Sequence, residues 1–107
     1  LEYEEISSKA RVPWGIKRVG GYKNVTTTKT SKKVFVLDTG VVPLPSLNID
    51  NHLAKSFVPG APSYAWIDEN GHGTHVAGII GAKDYKRSIV GVAAGATVVP
   101  IRVMDKY

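Results

Sequence analysis

The chain has 107 residues, 43% of them hydrophobic and 21% charged, enough for one globular domain or a piece of a larger one. That balance excludes a wholly disordered chain, and no apolar run approaches the roughly 18 residues that a membrane span needs. Cysteine is absent, which excludes disulfides, thiolate metal sites and a cysteine nucleophile.

The formal charge is +5, from fourteen Lys and Arg against nine acids. Lys9, Arg11, Lys17, Arg18, Lys23, Lys29, Lys32 and Lys33 all precede residue 34. No aromatic ladder or nucleic-acid motif accompanies them, so they read as a solvated region and not as a nucleic-acid surface.

In chain order, Leu1–Glu5 is acidic and lacks the basic, then apolar, layout of a signal peptide. Residues 26–33 are polar and predict a surface connection. Val34–Leu37 is a continuous run of β-formers ending at Asp38-Thr39-Gly40, which predicts a strand covered on both faces of a parallel sheet. Residues 41–71 carry Pro43, Pro45, Pro59, Gly60, Pro62 and Gly71 and read mainly as loop, with Ser56–Val58 as a short strand. His72 to about Ala82 predicts a helix with an apolar stripe at Val76, Ile79 and Ile80; Ala77, Gly78 and Gly81 predict close packing on a sheet. Thr97–Val103 is a second β-rich run, in which Pro100 argues for an edge, a bulge or a strand end. Strand, loop, strand, helix, strand is an α/β order.

The chemistry gathers at two places. Asp38 closes a buried strand and His72 opens a helix, and in open α/β sheets working groups collect at strand carboxyl ends and helix amino ends. A carboxylate there can accept the Nδ1 proton of an imidazole, leaving Nε2 to take a proton from a hydroxyl nucleophile.

Val36-Leu37-Asp38-Thr39-Gly40-Val41, Asn70-Gly71-His72-Gly73-Thr74-His75-Val76-Ala77-Gly78, and Ile89-Val90-Gly91-Val92-Ala93 leading to Val99–Val103 resemble the subtilisin-like serine peptidases. The resemblance covers roughly residues 12–105, and Val12–Ile16 is similar to that family's mature amino-terminal segment. It implies part of a three-layer α/β fold with a mainly parallel sheet. It also implies a secreted serine endopeptidase acting on protein or peptide substrates through an acyl-enzyme. Asp38 then matches the triad aspartate and His72 the general base, in the family's Asp-before-His order. His75 is a packed neighbour one turn on; Gly71 and Gly73 leave the imidazole clear, and Gly73 and Gly78 let the helix approach the sheet.

The sequence departs from the family pattern in two respects. None of Ser7, Ser8, Ser31, Ser46, Ser56, Ser63 and Ser88 lies in the Gly-Thr-Ser context of the family nucleophile. Residues 11–107 are therefore expected to be the amino-terminal portion of a peptidase domain, with a carboxyl-terminal remainder supplying the serine. The family's calcium site is also disfavoured, and no cofactor is expected. Val42–Leu47 has no carboxylate, and Lys83, Tyr85, Lys86 and Arg87 are poor partners for a cation that binds oxygen, with Asp84 alone insufficient.

Residues 1–10 read either as the tail of an inhibitory propeptide, with a maturation cut between about Ile6 and Arg11, or as a ragged terminus. An isolated portion of this kind would leave Thr97–Val103 beside an unpaired sheet edge and would not fold cooperatively.

Three rival readings use other features. A dimeric retropepsin-like aspartic peptidase would use Asp38 and predicts an almost all-β chain with a Gly-rich flap. A zinc site from His72, His75 and Asp38 lacks the His-Glu-x-x-His spacing. A catalytically incomplete fragment or degenerate relative would act as a binding or inert module.

Overall fold

The computed structural model describes residues 11–21, 32–83 and 89–107. Its elements are α1 (Trp14–Arg18), β1 (Lys33–Asp38), β2 (Asn48–Ile49), β3 (Lys55–Ser56), α2 (His72–Gly81) and β4 (Thr97–Arg102). All strand pairings are parallel: β1 lies on one side of β4, with β2 and β3 in tandem along the other. A parallel sheet with a helix connecting its strands is the expected α/β class. An almost all-β retropepsin-like chain is excluded by α2 and by these parallel pairings.

β1 and β4 pair along their full lengths, from Lys33 with Thr97 to Asp38 with Arg102. One face of the pair carries Val36 and Val98, which pack with Val41, Leu47, Ala77 and Ala82 into the buried core. Each such valine or leucine contributes about 1.5–3 kcal/mol by leaving water. The opposite face differs from the expectation of a strand covered on both sides. Phe35 and Leu37 are 52% and 63% exposed, because no described element packs over them.

Pro100 corrects a second expectation. It is neither at an edge nor at a strand end, but inside the central strand. Backbone groups of a strand point to alternate sides, and the Val98 and Arg102 carbonyls accept from Asp50 and Phe57 on the β2/β3 side. Pro100 shares their parity, so its missing N–H falls opposite the gap between β2 and β3, where no partner strand runs. The outer edges among the described residues therefore belong to β1 on one side and to β2 and β3 on the other, and not to Thr97–Val103.

The remaining differences are local. β2 and α1 were not anticipated: β2 is two residues long within a proline-rich stretch, and α1 is five residues without an apolar period. The strand expected at Ser56–Val58 is displaced to Lys55–Ser56. Residues 1–10, most of the 26–33 connection and Asp84–Arg87 lie outside the described residues.

α2 runs as expected, with Ala77 and Gly81 packed close and Val76 and Ile80 against the core. Gly73, Ala77 and Gly81, spaced by four, are buried, whereas Val76 and Ile80 are half-buried and Ile79 is exposed. Small residues win because the helix axis lies too close to the sheet for larger ones. A Cβ on Gly73 would overlap the Gly40 carbonyl oxygen, and one on Gly81 would stand 3.1 Å from the Ala96 oxygen. Gly78, expected to share this role, faces open space.

Gly73→Ala and Gly78→Ala should therefore move the urea midpoint of the folded protein in opposite directions. The first forces apart a helix and a turn that cannot both stay in place, at about 1–3 kcal/mol. The second removes a helical glycine at no steric cost and stabilises by about 0.5–1 kcal/mol.

Candidate active site

β1 delivers Asp38 to the carboxyl end of the sheet, where its carbonyl oxygen accepts from Val103 N (2.9 Å) and Met104 N (3.2 Å) as the chain leaves β4. The turn that follows is tight. Gly40 adopts φ +102°, and a Cβ there would strike the Trp66 carbonyl, so the turn needs glycine on both counts. Val41 N then donates to that same carbonyl.

The amino end of α2 sits on this turn. Its N-cap residue, Gly71, is left-handed at φ +107° and has no side chain to cap the helix. Asp68, four residues before the helix starts, does so instead. Its Oδ1 accepts from Asn70 N (2.9 Å), Gly71 N (2.9 Å) and the Thr39 hydroxyl (2.8 Å). Its Oδ2 accepts from Thr74 N (3.0 Å) and the Thr74 hydroxyl (2.6 Å). This satisfies helix N–H groups that have no partner within the helix, and it places a negative charge at the positive end of the helix dipole.

The arrangement brings Asp38 and His72 together across 34 residues of sequence. His72 Nδ1 lies 2.8 Å from Asp38 Oδ1 and 3.0 Å from Oδ2. Asp38 Oδ1 also accepts from Thr39 N at 2.7 Å. The ionised carboxylate is acceptor-only, so Nδ1 is the donor and the ring carries its neutral-state proton there. The Asp38 side chain is 12% exposed and that of His72 66%. Nε2, on the far side of the ring, makes no hydrogen bond among the described residues.

Electrostatics follow the same geometry. Burial works to raise the Asp38 pKa, but the His72 hydrogen bond and the Thr39 N–H outweigh it and hold the carboxyl below its ordinary range. At Asp68 burial again opposes ionisation. The donors on Gly71, Thr74 and Asn70 overcome it by a wide margin and drive the carboxyl far down.

Of the residues singled out from sequence, Asp38 and His72 meet. His75 does not behave as the packed neighbour expected, since it is exposed. A zinc site from the three residues finds no support: among the described residues no group of three His, Asp or Glu side chains is placed to hold a metal ion. Asp68 and Arg102 were missed. Arg102 is buried on β4 and donates through Nη1 to the Ala65 and Ile67 carbonyls and to Glu69, fixing the loop that carries Asp68. The available signal for Asp68 was an Asp ahead of Asn70-Gly71 and a helix, the pattern of a side chain that bonds the backbone two and three residues on.

A family model described as the subtilase family matches residues 29–107. The chain belongs to the subtilase family. It is 44% identical over 106 residues to an alkaline protease of Alkalihalobacillus alcalophilus, covering 96% of this chain and 27% of that relative. It is 46% identical over 95 residues to Subtilisin Savinase of Lederbergia lenta, covering 87% and 34%. A thermostable alkaline protease of Halalkalibacterium halodurans is 38% identical over 104 residues, covering 95% and 28%. The chain thus spans about a quarter to a third of the length of these relatives.

The two depressed carboxyls set an acid limit on this site. A lowered folded-state pKa adds stability above the unfolded value, near 3.9, and loses it as pH falls through the folded value. The urea midpoint should therefore decline steadily as pH drops below about 4. Asp68→Asn, which leaves buried donors unmatched, should cost about 1–3 kcal/mol at neutral pH and flatten that decline.

Proposed function

We propose that this chain supplies the Asp–His pair of a subtilisin-type serine endopeptidase. His72 acts as general base through Nε2; Asp38 holds its tautomer and stabilises the imidazolium; and the nucleophilic serine comes from outside these 107 residues. The observation that carries this is the His72 Nδ1–Asp38 contact with the other ring nitrogen left to solvent.

In the reaction, Nε2 takes the serine proton as its oxygen attacks the peptide carbonyl, and returns it to the leaving amine. Water then repeats the cycle on the acyl-enzyme. Asp38 remains ionised throughout, which its low pKa favours. By family resemblance the protein is extracellular, and its substrates are proteins or peptides.

The family's calcium site does not fit the described residues. Val42–Leu47 offers no carboxylate, and the Lys83 ammonium donates to the Asn48 amide oxygen at 3.0 Å, so a protein cation occupies the neighbouring oxygen. No step is assigned to the ion.

The test is fluorophosphonate labelling of the full-length protein. The wild type should label on serine, and Asp38→Asn should lose about 10⁴-fold in kcat, the scale known for removing the aspartate of such triads. Absence of label on folded wild-type protein would favour the incomplete, binding or inert reading.

A further inference from the structure

The Asp–His contact joins two segments, and a second polar assembly beneath it joins the same two. Thr39 follows Asp38, and Gly73 follows His72. The Thr39 hydroxyl accepts from Gly73 N at 2.9 Å and donates to Asp68 Oδ1 at 2.8 Å. On the helix side the Thr74 hydroxyl accepts from Val42 N at 2.9 Å and donates to Asp68 Oδ2 at 2.6 Å. Each threonine thus takes an N–H from the opposite segment and gives its single proton to one oxygen of the same carboxylate.

This reciprocity is chemically determined. A hydroxyl has one hydrogen and two lone pairs, and an ionised carboxylate can only accept. Because Asp68 takes both hydroxyl hydrogens, both threonines must present lone pairs to the N–H groups across the seam. Without the carboxylate those hydroxyls are free to rotate, and the two backbone contacts lose their fixed acceptors. Asp68 and Thr39 are both buried, so water does not replace these bonds readily.

We propose that Asp68 and Thr39 are positioning residues: the carboxylate orients the Thr39 hydroxyl so that Gly73 N–H is held, and this sets the separation of Asp38 from His72. Neither group reaches the reacting atoms. Their effect passes through the backbone of residues 39 and 73, one residue from each member of the pair. The inference rests on the peptidase reading for its kinetic arm only.

The experiment compares Asp68→Asn, Thr39→Val and Thr39→Ser in the full-length peptidase, at a temperature where circular dichroism shows each folded. Displacing a catalytic group on this scale costs up to about 10²-fold. Asp68→Asn and Thr39→Val should each lose kcat on that scale with KM little changed, Thr39→Ser should restore most of it, and the double variant should be no worse than either single one. A folded Thr39→Val enzyme with wild-type kcat, or losses that multiply in the double variant, would overturn the proposal. If Asp68→Asn does not fold, the two Thr39 variants decide.

A second readout needs no activity. The low-field proton resonance of His72 Nδ1 should vanish in Thr39→Val and persist in Thr39→Ser. Its persistence in folded Thr39→Val would overturn the proposal. A wild type that neither hydrolyses peptides nor labels would instead defeat the peptidase reading and leave this second test in force.

Discussion

The hydrogen bond between His72 and Asp38 can form only if the first turn of α2 lies directly on the turn that ends β1. That approach is a steric constraint before it is an electrostatic one. Gly73 has no side chain because the Gly40 carbonyl lies where a Cβ would be, and Gly40 has none because the Trp66 carbonyl presses from the other side. Two backbones meeting this closely would strand their polar groups. Thr39, Thr74 and Asp68 remove the difficulty, giving Gly73 N–H, Val42 N–H and the helix terminus partners inside the seam.

The sheet serves the same end from below. β4 runs through its centre and, on leaving it, donates two backbone N–H groups to the Asp38 carbonyl. Arg102, at the last position of β4, reaches to the loop from Ala65 to Glu69. One strand therefore anchors both the residue that carries the carboxylate and the loop that carries the capping aspartate. The result is a rigid base for a histidine that is itself largely exposed, with its free nitrogen toward solvent.

The sequence was legible where local pattern and tertiary role coincide. Val34–Leu37 and Thr97–Arg102 are rich in β-formers and became strands, and the segment from His72 became the helix. The Asp-Thr-Gly and His-Gly-Thr-His blocks marked the pair because both their side chains and their glycines are needed at the same junction. Reading failed where long-range packing decided the outcome. On α2 the small residues Ala77 and Gly81 pack close as expected, but the close approach to the sheet falls on Gly73 and not on Gly78, and Ile79 of the apolar stripe is left exposed. Pro100 is tolerated inside a strand because two short strands leave a gap opposite it, which no local rule reveals. Beyond its local bonds to Asn70 N and Gly71 N, the partners of Asp68 lie 29 residues back and 6 ahead, and only their meeting makes it a hub.

The central claim is that Asp38 fixes the proton of neutral His72 on Nδ1 and so frees Nε2 as a base. Nitrogen-15 NMR of the imidazole at neutral pH reads this directly. The account predicts a protonated Nδ1 and a bare Nε2 in the wild type, with that preference lost in Asp38→Ala. A wild-type ring carrying its proton on Nε2, or a tautomer indifferent to Asp38, would contradict it.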